Sequence, residues 1–509
     1  MTLITLLGIS LVVVLIVIIS MISGRRVQDA DDFLTSGGKS GTFMVCGSIL
    51  GSLLSSQAVI GTVQLAFHFG YSAWWFTLGA GIGCLILSLF YSSPIRASGS
   101  KTELQIISAE YGSVAESLGS ILCSMGIFIS ILSQMLACSG LITSLIPSIS
   151  VQMAVLLSAA LMGAYILFGG SWGAGMGGIA KLILLSLTMV VGVLYIFSHC
   201  QNITYLIGDV SNTMINTPIG QVQNSAEGLN NIVSSTDIKL RFENLFARGV
   251  SQELGSGISM ILGILSTQTY AQGILSAKSD ASARKGSLIA ALLVPPIGIA
   301  GILIGLYMRA NYITQAEFDA ISNLGMVAPN LPILTSTIQA LPVFIIDHFP
   351  QLISGIILGT LFITVIGGGT GLSFGMSSIL VTDIYLKIWP DTNSTKSLKV
   401  TRSFIGGTLL LSALTALIVS AEAINDLGYL SMGLRGTVVF FPMSCALWLK
   451  GKIKKQCIVF SILISPCMVL LGNAFDLPVS PLLLGMISSF ICCLLGYIMC
   501  KLNLKNEFI

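Results

Sequence analysis

The chain has 509 residues, 54% of them apolar and only 9% charged, with a formal net charge of +3 and a mean hydropathy of +0.92. Globular domains carry about 25% charged residues because a water-facing surface needs them, so this composition excludes a soluble protein and points to a surface that faces lipid. The net charge alone says little; the expected partners are a small solute and the bilayer, not a nucleic acid.

The apolar runs are about 20 residues long and do not alternate with period two, which selects helices over barrel strands. Hydrocarbon offers no partner for backbone N–H and C=O groups, so the expected class is an all-α polytopic membrane protein. About thirteen spans are predicted, near 3–22, 43–68, 73–95, 115–145, 150–169, 174–198, 254–277, 287–308, 351–383, 403–420, 428–449, 456–474 and 480–500. The first lacks a basic leader and ends at Arg25-Arg26 rather than at a small-residue cleavage site. It reads as a retained helix with its N-terminus outside. With that start, most of the Lys and Arg residues fall in inside loops, as insertion into a plasma (cytoplasmic) membrane favours, and the C-terminus lies inside.

The second span departs from a plain packing helix. Gly47-Ser-Ile-Leu-Gly-Ser-Leu-Leu-Ser-Ser-Gln57 is followed by Gly61, Gln64 and His68. Clustered hydroxyls, amides and glycines predict a helix broken where it borders a cavity, against the alternative of a continuous helix packed closely through small residues. The connections 199–253 and 309–350 are long and polar, and segments such as Gln315-Ala-Glu-Phe-Asp-Ala-Ile321 predict partly helical lids. The seventh span repeats the glycine pattern in Gly255-Ser-Gly257 and Gly263-Ile-Leu-Ser-Thr-Gln268. Breaks in spans two and seven, five apart, fit inverted five-helix repeats. The ninth span holds a third cluster, Thr364-Val-Ile-Gly-Gly-Gly-Thr-Gly371.

In the eleventh span Arg435, placed near the outer part, either forks onto a substrate carboxylate or phosphate or anchors at the outer headgroups. Ser52, Ser55, Gln57, Gln64, Gln134 and Gln268 are candidate solute contacts, and any of the glutamines can instead bond neighbouring helices. The eleven cysteines contain no CxxC pair and read as small packing residues; the three histidines have no second ligand nearby, so no metal site is expected beyond a possible sodium ion. No cofactor is expected.

Asp32-Phe33 followed by Gly37-Gly38-Lys39-Ser40, the glycines Gly61 and Gly70, the Gly169-Gly170 turn, Gln268 to Ser279 with Ala283-Arg-Lys-Gly286, and Thr382-Asp-Ile-Tyr385 stand in one order along residues 25 to 390. That set resembles the sodium/solute symporter family. The resemblance implies a LeuT-type fold in one transmembrane domain: an extra N-terminal helix (1–24), a first repeat (41–200), a second repeat (250–450) and two C-terminal helices (456–500). It also implies a solute site between the broken helices and a sodium site whose ligands fall on Gly51, Leu54, Thr364, Gly367 and Gly368.

The chain departs from that pattern. Gly367 and Gly368 stand where the family usually has Ser or Thr, and Gly178 where it usually has Asp, so oxygen ligands for a hard cation are missing. Three residues on stands Lys181, a costly residue inside a span. Two readings of it remain: its ammonium occupies the vacated sodium position, making the carrier proton-coupled or uncoupled, or its stem snorkels to the cytoplasmic headgroups. The expected function is alternating-access transport of a small polar organic solute. The alternatives are a sodium-coupled symporter with an atypical ion site, and a solute sensor derived from a transporter; no regulatory domain follows Ile509, which argues against the sensor. Catalytic acid/base pairs are absent from the spans, so an enzyme is not expected.

Overall fold

The computed structural model describes residues 2–24, 36–146, 148–200, 202–215, 235–327, 329–419, 424–475 and 479–506. Of residues 166–174, which include Gly169-Gly170, only the backbone is described. Arg25, Arg26 and the Asp32-Phe33 part of the motif lie outside the described residues.

Among these residues strand pairing is confined to the two-residue segments Ile313–Thr314 and Ile333–Leu334 and one bridge between Ser40 and Ala277. Eight helices are long and apolar enough to cross a bilayer: Gln57–Ala97, Ser113–Leu145, Gly175–His199, Asp280–Asn311, Gln351–Ile388, Ile424–Trp448, Lys455–Gly472 and Pro481–Leu502. Shorter apolar stretches at Leu3–Ile16, Thr42–Leu53 and Val151–Tyr165 accompany them.

Two of the expected spans are interrupted, as their glycine clusters predict, and two others are joined. The second is in two pieces, Thr42–Leu53 and a wide π-turn at Gln57–Gly61 leading into Thr62–Phe69; the seventh splits into Val250–Ile264 and Gln268–Leu275. The fifth and sixth lie in one helical run, Val151–His199. That run of 49 residues would extend about 74 Å if straight, far more than a bilayer core. It is not straight. Residues 165 and 177 would stand about 18 Å apart along a straight axis, yet the Tyr165 hydroxyl lies 2.5 Å from where a Cβ on Gly177 would be. The run is sharply bent between them.

Close helix approaches are made by glycines, as expected where hydrocarbon provides no hydrophobic drive between helices. A Cβ on Gly8 of the N-terminal helix Leu3–Gly24 would sit 2.9 Å from the Cα of Gly355 in Gln351–Ile379. Gly47 and Gly178 make a second such crossing, where a Cβ on Gly178 would overlap the Gly47 carbonyl oxygen. The outward faces carry Leu187, Leu194, Leu292 and Leu410, each more than half exposed. In water such a surface would aggregate; against lipid tails it is the stable one.

The two ends of the bundle differ. At the end carrying Lys39, Arg96, Lys101 and Lys278, the chain is tied across the core: Ser40 N–H donates to the Ser276 carbonyl and Lys278 N–H to that of Ser40, each at 2.9 Å. Arg96 donates to Asp280 (2.6 Å) and to the Ala277 carbonyl (3.0 Å). A cavity of about 310 Å³ at this end is lined by residues of 94–110 and 446–450; neither it nor the cavity at the other end is lined by residues 54–56 or 265–267. At the opposite end a cavity of about 350 Å³ opens between Gly61, Gln64, His68, Ser336 and Asp426. The long connections cover that end with short helices, Ile203–Ile215, Ser235–Glu243, Gln315–Asn323 and Ala340–His348. The expected helix at Gln315 is present and begins with a capping box between Thr314 and Glu317.

Candidate ion and solute site

A broken helix leaves carbonyls whose usual i+4 partner has turned elsewhere. In the first break Leu54 N–H still bonds the Leu50 carbonyl, but Ser55 N–H turns to that of Leu53 (2.9 Å). The Gly51 carbonyl thereby loses its own helical partner, and the Lys181 ammonium takes its place at 2.5 Å. The same ammonium donates to the Thr364 carbonyl at 3.2 Å. Lys181 is 2% exposed, so the snorkelling reading is corrected: the stem runs inward between the first broken helix and Gln351–Ile379. No carboxylate lies within ion-pair distance of it among the described residues. The opposing charge is the partial negative end of the half-helix that stops at Leu53.

The other ion-site positions divide around this contact. A Cβ on Gly367 would lie 3.4 Å from Lys181 Nζ, so any larger residue there would crowd the ammonium. Gly368 faces Ser55 and Gln134, with a Cβ 3.1 Å from Gln134 Oε1. The Thr364 hydroxyl is turned to its own helix, donating to the Thr360 carbonyl at 2.7 Å. Gly178 serves the helix crossing, where no carboxylate fits. Leu54 caps the half-helix with φ −75° and ψ 82°, and the hydrogen bonds of the ammonium go to Gly51 and Thr364 instead.

The ninth-span glycines do not break their helix, which runs unbroken from Gln351 to Ile379. They admit neighbours instead. Ser52 packs onto Gly371, and the Thr269 hydroxyl donates to the Gly371 carbonyl at 3.3 Å. Both broken helices thus converge on one turn of this helix.

Among the solute candidates, Gln134 is most tightly bound to a break. Its Oε1 accepts from Ser56 N–H (2.9 Å) and Ser56 Oγ (2.7 Å), and its buried Nε2 has no partner among the described residues. Gln57 donates to Ser133 Oγ at 3.0 Å and packs on Gly428. Gln64 lines the open cavity and donates to Thr337 Oγ1 at 3.0 Å. Gln268 is a different matter: its Oε1 accepts from Glu103 N–H (2.9 Å) and its Nε2 donates to the Lys101 carbonyl (3.0 Å), so it ties the closed end.

Arg435 is corrected most. It is fully buried, not at an outer headgroup. Its guanidinium donates to the Ser431 carbonyl (3.0 Å), Thr267 Oγ1 (2.9 Å), Ser431 Oγ (2.8 Å) and Ser130 Oγ (3.3 Å). Thr267, at the second break, donates its own hydroxyl hydrogen bond to the Gly263 carbonyl. A basic side chain thus braces each break: Lys181 the first, Arg435 the second. Sequence reasoning missed Ser56, Ser130, Ser133 and Thr267, because single hydroxyls in a Ser-rich membrane chain carry no distinguishing spacing.

Comparison with known proteins agrees with this architecture. The family model "Sodium:solute symporter family" matches residues 33–445. The high affinity choline transporter 1 of Homo sapiens is 22% identical over 438 residues, covering 84% of this chain and 69% of that protein. The uncharacterized symporter YwcA of Bacillus subtilis is 22% identical over 382 residues, covering 74% and 67%. Among solved structures, a Na+-coupled sialic acid symporter in a substrate-bound outward-open state matches with a TM-score of 0.76 at 17% identity over 98% of each chain. Mhp1, a nucleobase-cation-symport-1 family transporter in a closed conformation, matches at 0.54 and 12% identity over 94% of this chain and 96% of that one. These structures share the LeuT-type fold. The chain belongs to the sodium:solute symporter family and is a membrane transporter of the secondary type rather than an enzyme.

Proposed function

We propose that the protein carries a small polar organic solute across the cytoplasmic membrane by alternating access, with the Lys181 ammonium standing where its relatives hold sodium. The observation that carries this reading is the pair of bonds from Lys181 to Gly51 and Thr364, beside glycines at 367 and 368. A tethered cation with two carbonyl acceptors satisfies the break without a bound ion. Two carbonyls alone are a poor oxygen set for a bare hard cation.

When the broken helix moves relative to Gln351–Ile379, those two acceptors separate, and the ammonium exchanges them for solvent or surrenders its proton to whichever side is open. Transport is then proton-coupled or uncoupled, and sodium is dispensable. The solute lies between the two breaks, beside Gln134, Ser55 and Ser52. The basic, tied end faces the cytoplasm, as the placement of Lys39, Arg96, Lys101 and Lys278 supports.

A thermal-shift screen of a metabolite library identifies the solute, and counterflow in proteoliposomes then measures its exchange. Exchange in sodium-free buffer, with a pH dependence that disappears in Lys181→Ala, is the expected result. Strict dependence on sodium contradicts it.

A further inference from the structure

The tied end holds a buried acid that the ion site does not use. Glu103 starts the helix Glu103–Tyr111 in the connection between the spans Gln57–Ala97 and Ser113–Leu145, behind the N-cap Thr102. It is 2% exposed. Its backbone N–H bonds Gln268, but its carboxyl oxygens meet no hydrogen-bond partner among the described residues. A carboxylate placed so is expensive, because it has lost most of its water and gained no donor. Burial holds the carboxyl well above its ordinary range, and Arg435 only partly opposes this.

The groups that face it come from several elements. Arg435 approaches from Ile424–Trp448, with its donors already given to neutral acceptors. Cys123 of Ser113–Leu145 lies within electrostatic reach of both Glu103 and Asp383. Asp383 accepts from Thr102 Oγ1 (2.8 and 3.0 Å) and from Ser120 Oγ (3.3 Å). Beyond it Lys387 pairs with Glu116 at 2.5 Å. Glu103 thus faces one cation, Arg435, with Asp383 held by the neighbouring Thr102, and its segment is sealed by three contacts: Gln268 to Glu103 N–H, Gln268 to Lys101 and Thr102 to Asp383.

We propose that Glu103 is a proton-binding residue of this gate, protonated while the ties are made and ionised when they part, so that each opening releases its carboxyl proton to water on that side. The O–H bond of the carboxyl breaks, the proton passes to solvent, and the carboxylate is hydrated in the opened gap. This rests on the carrier reading above. The sign follows from linkage: a carboxyl that binds its proton more tightly when closed favours the closed gate at low pH. That preference is lost as pH climbs above the ordinary carboxylate range, about 4.3.

Hydrogen exchange of the whole protein in nanodiscs tests it, read at the Ser40 and Lys278 amides, whose N–H groups cross the gate. The rate in the wild type divided by that in Glu103→Gln cancels the intrinsic pH dependence of exchange. The ratio is expected to rise between pH 5 and 8, by up to about tenfold per pH unit until the carboxyl is ionised, and Glu103→Asp is expected to keep a rise. A flat ratio overturns the proposal. So does faster exchange in Glu103→Gln at pH 5, which would mean an ionised Glu103 held by Arg435. If Glu103→Gln does not fold, the infrared C=O stretch of a protonated carboxylic acid that shifts in Glu103→Asp gives a second readout, and its absence at pH 6 overturns the proposal. Failure of the carrier reading shows separately, as absence of solute counterflow with these exchange ratios unchanged.

Discussion

Lys181 carries a full charge into helix packing, and what makes it tolerable is the carbonyl that the break at Ser55 sets free. Replacing it with methionine removes the donor and leaves the Gly51 carbonyl buried without a partner, so we expect a loss of about 1–3 kcal/mol in unfolding stability, measured by denaturant titration in detergent. An undiminished midpoint would show that the bond contributes nothing. Gly178 works at the same scale: a methyl there meets the Gly47 carbonyl oxygen, and Gly178→Ala is expected to cost about 1–3 kcal/mol through overpacking, read as a lower melting temperature. Both residues were legible in the sequence, one as a charge inside an apolar run, the other as an absent carboxylate. Arg435 was legible as a charge but not in direction, since nothing in a linear pattern says that Ser130 and Thr267, far apart in the chain, would converge on it. Glu103 was invisible for a simpler reason: it lies in a connection, where an acid is unremarked, and only the folded chain buries it.

The broken helices are the elements that sequence shows best. Gly, Ser and Gln clusters at 47–57 and 255–268 predicted breaks somewhere in the second and seventh spans, and the breaks fall at 54–55 and 265–267. The same composition at Thr364–Gly371 yields a continuous helix, because its glycines admit Ser52, Ser55 and Thr269 from neighbours rather than opening their own backbone. Composition reports that backbone is approached, not by what. The second break offers a test of its bracing. Thr267→Val keeps the shape but removes the link from Arg435 to the Gly263 carbonyl, leaving a guanidinium donor unpaired. We expect it to lower stability by about 1–3 kcal/mol, with Thr267→Ser largely restoring it; equal losses in both variants would show that packing, not the hydroxyl, matters. The boundary expected between the spans 150–169 and 174–198, at the Gly169-Gly170 turn, falls inside one helical run, Val151–His199, that is bent between Tyr165 and Gly177.

Across the whole molecule, one end is tied by backbone and side-chain bonds, and the cavity at the other reaches Gly61 and Gln64 of the first broken helix, an asymmetry that fits the alternating access proposed above. Family membership and the matched structures account for that architecture, while the inside of the first break departs from what the family name promises. If a tethered ammonium stands at the ion position, sodium has nothing to add to the folded state. A ligand that binds only the folded protein stabilises it by RT ln(1 + [L]/Kd), about 2.7 kcal/mol at a hundred times Kd. The direct measurement is the melting temperature of the purified protein in sodium chloride against N-methyl-glucamine chloride at equal ionic strength. The same melting temperature is expected in both; a saturable rise with sodium alone would contradict a tethered ammonium at the ion position.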